Sequence, residues 1–304
     1  MRHPINPLVD CVFAAIFGDP ENADLLLSLL NAVLRPKIPI REVQILNPSV
    51  PREFQADDQR ILDVRARIQT GDQVQLEVQL QVRPWMATRV LYTWADLYQS
   101  QIQRGASFRE LQPVVSIWVL GQNLLPRSER WHHRFEVWDQ DAALRLTDHL
   151  AIHTLELSKW APPGSGLADE DRWMYFLREA GRWTALPQNL QTPELQKAMR
   201  ILERFSDKER DYHDYQSRMN FLREQAAIEE ERAELLALLE EQKMALVQKD
   251  QALVQKDQAL EQKDQALVQQ KQALVQKDQA LLEKEKTNAR LRAMLQAAGL
   301  SVED

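Results

Sequence analysis

The chain has no proline after Pro193, and the one glycine beyond that point is Gly299. More than a hundred residues without helix breakers, rich in Gln, Glu, Lys, Ala and Leu, predict helix and little else. Within this tail, leucine recurs with a period of seven, at Leu246, Leu253, Leu260, Leu267, Leu274 and Leu281. That period favours a left-handed coiled coil, although the second seam position of nearly every repeat is charged. We therefore expect a long solvated helix that associates weakly into a homo-oligomer, with capture of a different partner as the alternative.

Composition separates this tail from the rest of the chain. All 14 prolines and most of the aromatic residues lie at or before Pro193. A length of 304 residues allows one sizeable domain with an appendage. We expect a mixed α/β domain over residues 1–190, a helical connector over 191–230 and a heptad-repeat helical tail over 231–304.

Charge and composition also argue against several functional classes. The formal net charge of −7 is not that of a protein that coats nucleic acid. No run of about 18 apolar residues occurs, so we expect no membrane span. One cysteine, Cys11, cannot form an internal disulfide, which fits a reducing cytoplasm. No glycine-rich phosphate-binding motif occurs, so no nucleotide cofactor is expected.

Residues 1–190 predict a sheet covered by helices. The predicted helices are 23–34, 84–103 and 171–181, and the predicted strands are 43–46, 61–69, 73–82, 113–120 and 150–157. Two strands, a helix and a further strand follow one another in the middle of this region. The order β-β-α-β implies a mixed central sheet flanked by helices.

The predicted strand 73–82 alternates strictly between apolar and polar residues. The apolar row is Val74, Leu76, Val78, Leu80 and Val82, and the polar row is Gln73, Gln75, Glu77, Gln79 and Gln81. If Thr70-Gly71-Asp72 is a three-residue turn, strand 61–69 pairs with this strand as a hairpin. The facing pairs on the polar side are then Asp63 with Gln79, Arg65 with Glu77 and Arg67 with Gln75. We therefore expect Asp63, Glu77 and Gln79 to cluster at one end of the hairpin.

This polar row has two interpretations. It is either a solvent-facing sheet surface or the ligand set of a metal ion. Helix 84–103 follows the strand directly and would cover or border the polar face. Burying Asp63 and Glu77 without a partner would be costly, so either Arg65 or a cation must compensate them. Two carboxylates with water and phosphate suit Mg²⁺.

The chain also resembles the PD-(D/E)XK nuclease superfamily, and more narrowly the recombination-promoting nucleases that are also described as transposases. The resemblance covers roughly residues 5–225. The segments that carry it are Asp63-Val64-Arg65, Glu77-Val78-Gln79, the positions Arg89, Tyr92, Trp94, Leu97, Tyr98, Gln101 and Gly105, the strand PVVSIWVL, the opening region around Asp10, and the stretch from Ile152 to Lys159.

This resemblance implies a restriction-endonuclease-like fold and metal-dependent cleavage of double-stranded DNA. Asp63 and Glu77 would hold Mg²⁺ or Mn²⁺. Asp10 would add a carboxylate from the first helix, unless it serves as a helix cap or an ion-pair partner. Gln79 stands where the wider superfamily has a lysine that orients the attacking water, so water activation would rest more on the metal.

Two arginines complete the predicted site. Arg65 and Arg89 would bind DNA phosphate, or would pair with Asp63 and Glu77. Arg89 lies on the predicted helix 84–103. The sequence leaves both readings open.

A non-catalytic role is the alternative to an endonuclease. A decayed nuclease fold would bind DNA or act as an oligomeric scaffold through its tail. Gln79 in place of lysine and the acidic net charge favour this alternative. No zinc site is expected at His132-His133, because no cysteine accompanies the pair. His149 and His153 are expected to be ordinary packing residues, because their segment is predicted as a strand and not as a helix.

Overall fold

A computed structural model describes residues 3–46, 63–103, 105–164 and 166–297 of the chain. Its strands are β1 (Val43–Ile45), β2 (Val64–Ile68), β3 (Gln73–Gln79), β4 (Val114–Leu120), β5 (His132–Phe135), β6 (Trp138–Asp139), β7 (Leu144–Arg145) and β8 (Leu150–Glu156). Its α-helices are α1 (Asp10–Phe17), α2 (Ala23–Leu34), α3 (Met86–Gln99), α4 (Asp169–Glu179), α5 (Pro193–Asp207) and α6 (Glu209–Ala297).

Six of these strands form one mixed sheet in the order β1-β2-β3-β4-β8-β5. Strands β1, β2 and β3 are antiparallel, β3, β4 and β8 are parallel, and β5 pairs antiparallel with β8. Helices lie on both faces of this sheet. The predicted restriction-endonuclease-like fold, followed by a long C-terminal helix, is therefore confirmed.

Two apolar clusters fill the two sides of the sheet. In the larger cluster, Leu76 of β3 packs with residues of α1, α2, α4 and α5, including Phe13, Leu29 and Trp173. In the smaller one, the buried residues are Met86 and Val90 of α3, Trp118 and Leu120 of β4, and Leu150 and Ile152 of β8. Burying one large apolar side chain stabilises a fold by about 1.5–3 kcal/mol. Because both sides are covered, the polar row of β3 lies beneath α3 and not in open solvent.

Most of the predicted elements are present with shifted ends. Helix 23–34 is confirmed as α2, and strands 113–120 and 150–157 are confirmed as β4 and β8. Helix 84–103 is shorter than predicted, because α3 begins at Met86 and ends at Gln99. Residues 61 and 62 of the predicted strand 61–69 lie outside the described residues. Strands β5, β6 and β7 had no counterpart in the sequence prediction.

The breaker-free tail is not a single helix. It forms α5, which ends at Asp207, and α6, which begins at Glu209, with Lys208 between them in an extended conformation. The chain divides into two compact units, Met1–Glu224 and Gln225–Asp304. In the second unit, every described side chain from residue 230 to 295 is exposed to solvent. No helix in the described parts of the chain could cross a membrane.

Candidate active site

The hairpin of β2 and β3 corrects the predicted register by two residues. Val64 pairs with Leu76 and Arg65 with Gln75, so Arg65 does not face Glu77. Continuing this register by one residue places Asp63 opposite Glu77. The turn explains the shift, because Gly71 has a φ of +96° and therefore takes the last position of a three-residue loop. In the observed register the carboxylates of Asp63 and Glu77 are therefore closer together than in the predicted one.

Gln75 connects the two carboxylates. Its amide nitrogen donates to Glu77 Oε1 at 2.7 Å and lies 3.5 Å from Asp63 Oδ2. Ser116 Oγ donates to Gln75 Oε1 at 3.4 Å, and Trp118 Nε1 donates to Ser116 Oγ at 2.9 Å. This chain of hydrogen bonds from β4 fixes the orientation of Gln75. Gln75 belongs to the polar row, but its role was not predicted from the sequence, because the contact with Asp63 depends on the observed pairing of β2 and β3.

Each carboxylate also has an arginine beside it. Arg65 Nε lies 2.6 Å from Asp63 Oδ2. Arg89 Nη2 lies 3.7 Å from Glu77 Oε2, and Arg89 Nη1 donates to Gln79 Oε1 at 3.4 Å. The Arg89 guanidinium lies over the Trp118 ring, 5.7 Å from its centroid. The structure therefore brings together five of the predicted residues, Asp63, Arg65, Glu77, Gln79 and Arg89.

Glu77 is the least satisfied group in this cluster. Its side chain is 1% exposed, whereas that of Asp63 is 15% exposed. Glu77 Oε2 has no hydrogen-bond partner among the described residues. Burial raises the pKa of the Glu77 carboxyl to about 7, the Arg89 charge lowers it, and the Asp63 charge raises it. A carboxylate held in this way gains strongly from a further cation.

The donor set fits a hard divalent cation. In the described part of the chain, no group of three or more His, Cys, Asp or Glu side chains is placed to hold a metal ion. Magnesium does not require such a cage, because it binds through one or two carboxylates and completes its shell with water and phosphate. The orphaned Oε2 of Glu77 and the partly exposed carboxylate of Asp63 supply those two ligands.

Asp10 is engaged elsewhere. Its Oδ2 lies 2.5 Å from Arg218 Nη2 of α6, and its Oδ1 accepts a hydrogen bond from the backbone N–H of Cys11 at 2.8 Å. Helix α1 packs into the larger apolar cluster, on the side of the β3 valines. Among the contacts of the described residues, none joins Asp10 to Glu77.

A protein-family model described as PD-(D/E)XK nuclease family transposase matches residues 7–231. The match includes the hairpin, α3, β4 and β8, and therefore every residue of the cluster around Glu77. Comparisons with curated proteins and with solved structures found no match.

Proposed function

The chain belongs to the PD-(D/E)XK nuclease family transposases, and from this we propose that it is a DNA endonuclease that hydrolyses phosphodiester bonds and promotes recombination. Asp63 and Glu77 hold the divalent cation, Mg²⁺ or Mn²⁺, and the substrate is double-stranded DNA. The observation that carries the proposal is the buried Glu77 carboxylate, whose Oε2 lacks a hydrogen-bond donor among the described residues beside a second carboxylate.

A bound divalent cation at such a site neutralises charge on the phosphate and lowers the pKa of a bound water. The residues of this chain orient the two ligands. Gln75 contacts both carboxylates, and Ser116 holds the amide oxygen of Gln75. Both carboxylates are therefore held in place from one side by a group that is itself fixed by β4.

Arg89 supplies the positive charge that Gln79 lacks. Its guanidinium contacts both Glu77 and Gln79 and is 18% exposed. A guanidinium presents several donors in one plane and binds phosphate through two of them. We place Arg89 as the phosphate-binding group of the site, with Gln79 holding it in position through the amide oxygen. Arg65 is a second phosphate ligand, since its side chain is 38% exposed.

The proposal is tested by nicking of supercoiled plasmid with purified full-length protein, in Mg²⁺, in Mn²⁺ and in EDTA. The wild type is expected to nick only with a metal, and Asp63→Ala is expected to lose the activity. Asp72→Ala, in the same hairpin next to the turn, is the matched control and should cleave as the wild type does. Equal cleavage by Asp63→Ala and the wild type would refute the assignment.

The second candidate is a non-catalytic, oligomeric scaffold. The exposed leucines of α6 favour it, because Leu246, Leu253, Leu260, Leu267, Leu274 and Leu281 are each more than half exposed. A second copy of the chain would cover them by the weak coiled coil that the period of seven predicts. Light scattering of full-length protein and of a chain ending at residue 224 tests this. An oligomer that disperses on truncation, with no nicking by either protein, would favour the scaffold over the nuclease.

A further inference from the structure

A cavity of about 330 Å³ lies in the first compact unit, away from the residues of the candidate active site. It is lined by the N-terminal segment 4–8, by residues at and after the end of α4, and by the beginning of α6. Cavities of about 300–1,000 Å³ commonly hold small molecules. Its volume is therefore sufficient for a ligand the size of one nucleotide.

The N-terminal segment that lines this cavity is held in place by backbone packing and a hydrogen bond. A Cβ placed on Gly181 would lie 3.0 Å from the carbonyl oxygen of Ile5, so any larger residue there would require the N-terminal segment to shift by a few tenths of an ångström. The backbone N–H of Asn6 donates to the hydroxyl oxygen of Tyr215 at 3.2 Å. Gln216 Nε2 donates to the Tyr212 hydroxyl at 2.8 Å. The Asn6–Tyr215 hydrogen bond joins the segment to α6, and the Gln216–Tyr212 hydrogen bond orients two side chains of α6 that line the cavity.

The charge around the cavity is positive, although the chain as a whole carries −7. Its lining includes Arg178, Arg182 and Arg223 and no acidic residue. Glu179 pairs with both Arg178 and Arg182, at 3.2 and 3.1 Å, so one carboxylate serves two guanidinium groups. The Arg223 guanidinium donates to the amide oxygen of Asn220 at 3.3 Å. Because that amide is neutral, this hydrogen bond does not neutralise the positive charge of Arg223.

The remaining lining groups suit a nucleoside. Tyr212 and Met219, both partly exposed, supply aromatic and apolar surface, although one face of the Tyr212 ring stacks on His3 and Tyr215 is buried. Asn6 and Gln216 supply amide groups. Aromatic side chains stack on bases without regard to sequence, because every base has a flat π-face. Arginine binds phosphate through paired hydrogen bonds. A single nucleotide carries both of these chemical features.

We propose that this cavity binds the terminal nucleotide of a DNA strand or a free nucleoside monophosphate, with Arg182 and Arg223 as ligands of its phosphate. The two sources share one chemistry, a phosphate monoester on a nucleoside. The strand end would deepen the proposed nuclease function, because a cleaved strand carries such a group. A free nucleoside monophosphate would instead make the cavity a ligand-binding site that does not depend on DNA cleavage.

Fluorescence anisotropy and calorimetry on the full-length protein in EDTA test the proposal. The probes are dAMP, a short single-stranded oligonucleotide with a 5′-phosphate, and the same oligonucleotide without it. Arg182 is 82% exposed and Arg223 is also exposed, so the double variant Arg182→Gln/Arg223→Gln should fold normally. It is expected to weaken binding by about tenfold or more, because it removes two charged hydrogen-bond donors to the phosphate.

The matched control is Arg200→Gln, which removes an exposed arginine of α5 that does not line the cavity. Tighter binding of the phosphorylated oligonucleotide than of its dephosphorylated form would identify the strand end as the ligand. Binding of dAMP alone would identify the free nucleotide. No saturable binding of any probe, or equal binding by the double variant and the wild type, would overturn the proposal. Asp63→Ala should bind as the wild type does, so loss of cleavage and loss of this site are distinguishable.

Discussion

Glu77 on β3 and Glu156 on β8 are both buried carboxylates of the same mixed sheet, but their surroundings differ. Glu156 Oε2 accepts hydrogen bonds from the backbone N–H groups of Leu124 and Leu125 at 2.9 and 3.3 Å. Lys159 Nζ lies 2.7 Å from the same oxygen. Its other oxygen, Oε1, lies 3.7 Å from His133 Nδ1 and, like Glu77 Oε2, has no hydrogen-bond partner among the described residues. Glu156 therefore has a direct counter-charge and two backbone donors.

Glu77 has neither of these. One neutral amide, that of Gln75, donates to it at 2.7 Å, and the nearest counter-charge is Arg89 at 3.7 Å. Burial raises its pKa to about 7. Burial alone therefore does not distinguish a structural carboxylate from one that is available to bind a metal ion. The distinction lies in whether the protein itself saturates the charge, and at Glu77 it does not.

The largest effect is expected from Glu77→Gln on cleavage. The amide preserves the shape of the side chain but removes the charge that holds a cation, so nicking should fall by about a thousandfold. Folding should be unchanged or slightly more favourable, because a neutral side chain avoids the cost of desolvation. Plasmid nicking and urea unfolding of the same preparation measure both effects. Unaltered nicking with lowered stability would mean that Glu77 is structural.

Glu156→Gln should show the converse behaviour. It removes the counter-charge of the Lys159 ammonium, which is only 9% exposed and would keep its hydrogen bond to the Leu125 carbonyl oxygen, and breaking a buried ion pair costs about 3 kcal/mol. We expect a corresponding fall in the free energy of unfolding measured with urea. The nicking rate of the folded fraction should stay close to that of the wild type. If Glu156→Gln were as stable as the wild type, the claim that Glu156 is structural and differs in this from Glu77 would be wrong.

A smaller effect is expected from pH, through His153 on the same strand as Glu156. Burial, together with the charges of His132 and Arg134, lowers the pKa of His153 from 6.5 to about 3. Between these values the unfolded chain binds a proton that the folded chain does not, so stability should fall as the pH falls below 6.5. His153→Asn should flatten this part of the curve when urea midpoints are measured in EDTA. A slope unchanged by the substitution would contradict the assignment.

Glu77 should contribute with the opposite sign in the same experiment. Its pKa is raised from 4.5 to about 7, so the folded chain binds the extra proton between these values. That contribution to stability is complete below pH 4.5 and disappears as the pH rises through 7. Glu77→Gln should therefore steepen the loss of stability on acidification, whereas His153→Asn should reduce it. Two substitutions that move the slope in the same direction would show that the two sites do not differ in this respect.

The local pattern of the sequence predicted the elements near the site, but not how they pair. Helix α2 follows from its apolar pattern and the residues that bound it, and strand β4 follows from a nearly continuous apolar run. Strand β8 was also predicted at its observed position. The hairpin was predicted at the right place with the wrong register, because three-residue loops place glycine last and the turn was assigned one residue too late. Strand β5 was missed because its sequence, HHRF, has no alternation and is a strand only through its pairing with β8.

The sequence by itself determined that a polar row containing Glu77 faces one side of β3, because side chains alternate along a strand whatever surrounds it. It also determined the helical tail, because no residue between Pro193 and Gly299 is a proline or a glycine. Only the tertiary structure decided that α3 buries this row, that Arg89 lies beside both Glu77 and Gln79, and that Arg218 pairs with Asp10. The contact between Asp10 and Arg218 joins residues some two hundred positions apart. It depends on how helices pack, so no local pattern in the sequence predicts it.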